Sequence, residues 1–89
     1  MKRSDIIEAR RGQVSDEIRK KVNLSFMIVD RIHTLLQERG LRQKDLAQLL
    51  HKNESEISKW MRGTHNFTID TISQIEMVLG EPILRVVGV

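Results

Sequence analysis

Apolar residues recur every three or four positions over much of the chain, which is the spacing that gives an α-helix one buried face. Between residues 24 and 39 this pattern predicts a helix with a single apolar stripe, formed by Ile28, Val29, Ile32, Leu35 and Leu36. Gly40 comes next and is expected to end the helix, because glycine adopts the left-handed conformation of a helix C-terminus at little cost. This amphipathic helix is therefore the first predicted element of the core.

Three shorter helices are predicted after it, each bounded by residues that cap or end helices. They extend over about residues 43–50, 53–63 and 68–80. In the second, Glu56 can accept a hydrogen bond from the Asn53 amide, as in a capping box. Asn53 and Thr68 are the expected N-caps, while Gly63, Gly80 and Pro82 are the expected stops. The residues expected to face the core are Leu46, Leu49 and Leu50, then Ile57 and Trp60, then Ile69, Ile72, Ile75 and Leu79.

The two ends of the chain are predicted to differ from this helical core. Residues 1–23 contain two polar helical pieces, 4–11 and 15–22, with Ser15 as a cap, and too few apolar residues for a core of their own. Residues 81–89 are rich in β-branched side chains and predict a short strand. A lone strand has unpaired backbone groups, so the same strand of a second copy is its expected partner. The predicted organisation is an extension over 1–23, a helical domain over 24–80 and a dimerising strand over 81–89.

Composition narrows the class of protein further. A chain of 89 residues is one domain, and with 39% apolar but only 3% aromatic residues its core must consist mainly of aliphatic side chains. The net charge of +3 arises within residues 1–23, and it favours an anionic partner such as nucleic acid. The absence of cysteine excludes disulfides, and the short apolar runs predict neither a membrane span nor a signal peptide. A cytoplasmic protein is expected.

Two short helices joined by His51, Lys52 and Asn53 predict a DNA-binding motif. Ala47 is small where the two helices must cross, and Ile57 can fill the space between them. Such a pair can place its second helix in the major groove of DNA. The stretch from Gln43 to Gly63 closely resembles the XRE family of Cro and phage-repressor helix-turn-helix proteins, and the likeness covers residues 24–80. The resemblance implies an all-α, lambda-repressor-like bundle of four to five helices that binds double-stranded DNA.

The resemblance also implies roles for individual residues. Gln43 matches the glutamine that contacts a phosphate at the start of the second helix of the family. Glu54, Ser55 and Lys59 match base-reading positions, and Ser58 matches a serine that could face a base or a phosphate. Lysine can donate to guanine and glutamate can accept from cytosine, so the chemistry permits these roles. The predicted DNA-binding set is completed by Lys52 and Asn53 in the turn and by Arg62, Thr64 and Asn66 in the following loop.

Some of these residues also have simpler interpretations. Glu54 in the first turn of a helix is stabilised by the helix dipole whatever the protein does. Trp60 is interpreted as core, because no other aromatic residue adjoins it in the sequence to form a stacking platform. The departure from the family pattern at His51, where glycine is usual, is tolerable because histidine enters the left-handed region more readily than most residues.

The predicted function is sequence-specific repression of transcription by a homodimer on a palindromic operator. His33, His51 and His65 have no carboxylate at a metal-ligand spacing, and no catalytic arrangement or phosphate loop is recognisable. Neither an enzyme nor a cofactor is therefore predicted. The alternative function is that of a HigA-type antitoxin, which neutralises a toxin protein and regulates its own operon. Small size and the extra segment 1–23 favour this alternative.

Overall fold

The computed structural model describes residues 15–63 and 65–88 of the chain. This part contains four α-helices, α1 (Asp16–Arg39), α2 (Gln43–Leu50), α3 (Glu54–Trp60) and α4 (Ile69–Leu79). The prediction of a helical bundle with these core helices is confirmed. The predicted helical piece over residues 4–11 lies outside the described residues. None of the helices in the described ranges is both long and apolar enough to cross a bilayer.

The first helix is longer than the sequence pattern predicted. The hydroxyl oxygen of Ser15 accepts a hydrogen bond from the Ile18 amide at 3.3 Å, which confirms Ser15 as an N-cap. The helix then continues without a break to Arg39 and ends at Gly40, whose φ is 63°. The prediction that one helix ends at residue 22 and another begins at residue 24 is therefore wrong. No glycine or proline stands there, and Asn23 alone does not stop a helix that is already formed.

The core lies between all four helices. Five side chains, contributed by all four helices, are fully buried in it, Ile32, Leu35, Leu46, Ile57 and Ile75. Two of the core predictions are wrong, because Leu49 is 45% exposed and Ile69 is 83% exposed. At about 100° per residue, Leu46, Ala47 and Leu50 share one arc of α2, and Leu49 lies outside it. Ile69 is the first residue of α4, beyond the edge of the core.

The segment after α4 does not form the predicted strand. Within the described residues no strand is present, and Glu81–Gly88 has an irregular backbone. The Glu76 carboxylate accepts hydrogen bonds from the amides of Ile83 at 2.6 Å and Leu84 at 3.1 Å, and Arg31 Nε donates to the Pro82 carbonyl at 3.1 Å. These polar side chains satisfy backbone groups that strand pairing was expected to satisfy, so Pro82, Ile83 and Leu84 are bound to their own domain, whereas the residues from Arg85 to Gly88 are exposed.

Candidate DNA-binding surface

The turn between α2 and α3 has the left-handed geometry that its sequence requires. His51 adopts φ 56° and ψ 43°, and the next amide, that of Lys52, donates to the Ala47 carbonyl at 2.9 Å. This confirms that histidine can occupy the position where glycine is usual. The chain reverses there, and α3 packs on α2 through Ala47 and Ile57, both of which are buried. The two helices are therefore held in a fixed relative orientation.

The start of α2 is stabilised by an ion pair with Asp45. The Asp45 carboxylate accepts a hydrogen bond from the Arg42 amide at 2.8 Å and lies 3.6 Å from the Arg42 guanidinium. This hydrogen bond, assisted by the positive charge of Arg42, lowers the pKa of Asp45 below its ordinary value of 3.8. An ionised carboxylate in the first turn also favours the helix dipole. The backbone around the next residue, Gln43, is therefore well defined.

Gln43 and Ser58 join the two helices through their side chains. The Ser58 hydroxyl donates to the Gln43 side-chain oxygen at 3.3 Å, in a partly buried position. This bond uses the oxygen of the amide and directs the amide nitrogen elsewhere, where it can donate to another acceptor. The sequence pattern identified both residues as candidates for DNA contact but did not predict the hydrogen bond between them. The only signal for it was that both stand on the polar sides of two helices that were expected to pack together.

The outer face of α3 is polar and open to solvent. Glu54, Ser55 and Lys59 are all exposed, as base-reading residues must be. Asn53 is also exposed, and its amide donates to the Glu56 carboxylate at 3.5 Å, which confirms the predicted capping interaction. The exposed side chains of α3 therefore form one polar face that is accessible to a partner.

Lys52 is held mainly by its own domain. Its ammonium group lies 3.8 Å from the Glu56 carboxylate and 5.8 Å from the centre of the Trp60 ring. Both contacts are intramolecular, and only 31% of the side chain is exposed. Lys52 is therefore less accessible to DNA than the exposed residues of α3.

The loop after α3 is attached to α1. The helix ends at Trp60 rather than at Gly63, and Gly63 instead forms the following turn with φ 88°. Ser25 on α1 donates a hydrogen bond to the His65 carbonyl at 3.0 Å. The His65 ring stacks on buried Trp60 with 5.7 Å between ring centres, which supports the interpretation of Trp60 as core. No pattern in the sequence indicated that Ser25 and His65 position this loop.

Two of the three loop residues in the predicted set can be located. Arg62 and Asn66 are exposed, and Thr64 lies outside the described residues. Between Arg42 and Arg62 the chain carries five basic and three acidic side chains. Since Asp45 and Glu56 pair with neighbouring basic residues, Lys44, Lys59 and Arg62 contribute exposed positive charge to the surface. This surface suits a polyanion with hydrogen-bonding groups between its charges.

Comparison with known proteins agrees with this geometry. A helix-turn-helix family model matches residues 32–86, which is more than half of the chain and includes all of α2, α3 and α4. No curated protein and no solved structure matches the chain. From the family match and the fold, the chain belongs to the XRE-type helix-turn-helix family of Cro and phage repressors, and it is a DNA-binding transcriptional regulator.

Proposed function

We propose that this regulator binds a palindromic operator as a homodimer and represses transcription from it. The observation that carries the proposal is the exposed polar face of α3, with Ser55 and Lys59 outward and Ile57 buried against α2. A helix held in this way can enter the major groove as a rigid body, so little conformational entropy is lost on binding. Repression follows because a protein bound at a promoter obstructs RNA polymerase.

Contacts to the DNA backbone are proposed at both ends of the motif. At one end, the Gln43 amide nitrogen donates to a phosphate, assisted by the amide groups at the start of α2. Ser58 supports this contact by holding the Gln43 oxygen at 3.3 Å. At the other end, Arg62, Thr64 and Asn66 contact the backbone again. These contacts set the position of the protein and carry no sequence information directly.

Base recognition is proposed for the residues between these ends. Lys59 donates to guanine, Ser55 bonds to either type of base edge, and Glu54 accepts from the cytosine amino group. Asn53 lies at the edge of the groove, and Lys52 contributes mainly by fixing Glu56 and covering Trp60. In a homodimer two such helices read half-sites one DNA turn apart, about 34–36 Å, which requires a palindromic operator.

The proposal is tested by measuring the affinity for an operator selected from random DNA, by fluorescence anisotropy over a series of salt concentrations. Affinity should fall steeply with salt, because each phosphate contact releases a counterion. Gln43→Ala should weaken binding to all sequences alike. Lys59→Ala should also relax the preference at one base pair, by about 1–3 kcal/mol.

The matched control is Gln48→Ala, which removes an exposed glutamine of α2 outside the predicted set. It should leave affinity close to that of the wild type. An affinity independent of salt would contradict DNA binding through phosphates. Equal losses in Gln43→Ala and Gln48→Ala would remove Gln43 from the contact surface, and unchanged selectivity in Lys59→Ala would remove Lys59 from the base readers.

The antitoxin alternative depends on residues 1–23, of which the structure describes 15–23. These form the exposed first turns of α1, and Ile18 there is 53% exposed. The alternative stays a prediction. It requires that deleting residues 1–21 abolish the neutralisation of a toxin encoded beside this protein, while operator binding is only modestly reduced.

A further inference from the structure

We propose that a second copy of this chain binds to an uncharged apolar patch formed by the end of α2 and the second half of α4. The proposal rests on the proposed function, because operator binding by a homodimer requires a twofold interface but does not say where it lies. The patch surrounds a depression of about 340 Å³ and consists of Leu49, Leu50, His51, Gln74, Met77 and Val78.

The first argument is the apolar area that the patch leaves in water. Met77 is 85% exposed, Leu49 is 45% exposed and Val78 is 37% exposed. Single exposed apolar residues are common, but three side chains from two helices around one depression form a continuous surface. Contact with a second copy removes that surface from water twice over, once for each protomer.

The second argument is charge. A twofold axis through a patch brings each side chain of the patch near its own counterpart or near a neighbour of it. Charged residues close to the axis therefore oppose like charges, which is unfavourable. No Lys, Arg, Asp or Glu lines the α2–α4 patch. A second apolar groove, between α1 and α4, is lined by Glu17, Lys20 and Lys21, so it suits self-association less well.

The third argument is that the patch leaves the DNA-binding surface open. None of the proposed DNA-contacting residues lines it, whereas Asn66 lines the α1–α4 groove. The patch also includes His51 of the turn, so an axis through it passes close to both helix-turn-helix motifs. None of the proposed DNA contacts would therefore be part of this interface.

The test uses two lysine substitutions on the same helix. Met77→Lys introduces a charge at the most exposed apolar residue of the patch, and Ile69→Lys introduces the same charge at a site of nearly equal exposure outside it, 83% against 85%. Both side chains lie in solvent in the single chain, so neither substitution removes core packing. Circular dichroism should show the same helix content for both variants and for the wild type.

Sedimentation equilibrium over a concentration series gives the dimer dissociation constant. Met77→Lys should raise this constant by at least about tenfold, and Ile69→Lys should leave it within about twofold of the wild type. The chain has no cysteine. Met77→Cys should therefore give an intermolecular disulfide under mild oxidation, and Ile69→Cys should not.

A wild-type dimer that Met77→Lys leaves intact would overturn the interface while leaving the proposed function in place. Equal weakening by both lysine variants would also overturn it, because the effect would then not depend on the patch. A monomeric wild type would overturn the interface as well. Operator binding measured on the same wild-type sample decides separately whether the proposed function stands.

Discussion

Replacing Gly63 with alanine tests how tightly the loop after α3 is packed against α1. Gly63 is buried and has φ 88°, and a Cβ atom placed on it would overlap the ring of Phe26. The Phe26 side chain is 44% exposed, so its ring can swing toward solvent to make room. The substitution therefore introduces backbone strain and also displaces an aromatic ring from the loop.

The two costs can be separated with a second glycine. Alanine at a positive φ is strained by about 1–2 kcal/mol, and we treat this strain as equal at Gly63 and Gly40. Gly40 has φ 63°, and a Cβ atom added there would meet nothing within 4 Å, so Gly40→Ala reports the strain alone. Displacing a half-buried phenylalanine loses about half of its burial energy, or about 1 kcal/mol. Changes in the entropy of the unfolded chain are the same for both variants and cancel in the difference.

We therefore expect Gly63→Ala to cost about 1 kcal/mol more than Gly40→Ala. Urea unfolding followed by fluorescence measures both, since Trp60 is the single tryptophan and lies beside the loop. In a Phe26→Ala background the excess cost at Gly63 should disappear, because the ring that the methyl group displaces is gone. Equal costs for the two glycine variants, or an excess that persists without Phe26, would refute this account of the loop.

Three further outcomes are expected. Leu46→Ala should lower the free energy of unfolding by about 2–5 kcal/mol, because Leu46 is fully buried. Leu49→Ala on the same helix should lower it much less, and similar losses in the two variants would contradict the assigned buried face of α2. Asp45→Asn should lower the melting temperature at neutral pH. Because the pKa of Asp45 is depressed in the fold, the stability that its carboxylate contributes is present above pH 3.8 and is lost as the pH falls through the folded value. The difference in melting temperature between the variant and the wild type should therefore disappear in acid. A difference that stays constant with pH would argue against the ion pair. Glu76→Ala should speed hydrogen exchange at the Ile83 and Leu84 amides, which the carboxylate now binds, while unchanged rates would mean that other contacts hold the segment.

Predictions from the sequence are correct where local features, such as apolar spacing and helix caps, agree with the tertiary contacts. Ile57 and Trp60 lie three residues apart and are both buried, and Thr68 caps α4 by accepting a hydrogen bond from the Thr71 amide at 3.2 Å. His51 takes the left-handed conformation that the turn demands. Most of the predicted DNA-binding residues are exposed on one motif for the same reason, because the pattern of α2 and α3 decides which side of each helix faces the core.

The errors arise where the answer depends on contacts between distant residues. Leu49 fits an apolar spacing as well as Leu50 does, and only the direction from which the other helices approach α2 excludes it from the core. The tail looked like a strand because β-branched residues suit strands, but Glu76 and Arg31 bind its backbone instead. The Ser58 to Gln43 hydrogen bond likewise joins residues fifteen positions apart. The spacing of apolar residues along the sequence does not predict contacts between residues so far apart.

The unbroken course of α1 has a consequence for how the domain opens. From Ser25 onward the helix packs on the core, whereas most side chains from Asp16 to Leu24 are exposed. A helical segment of about two and a half turns gains little stability in water without tertiary support. Opening should therefore begin at the Ser15 cap and stop near Ser25, where the bond to the His65 carbonyl begins the packed part. The free energy of local opening should therefore rise sharply along α1 near residue 23, although the helix itself is continuous there.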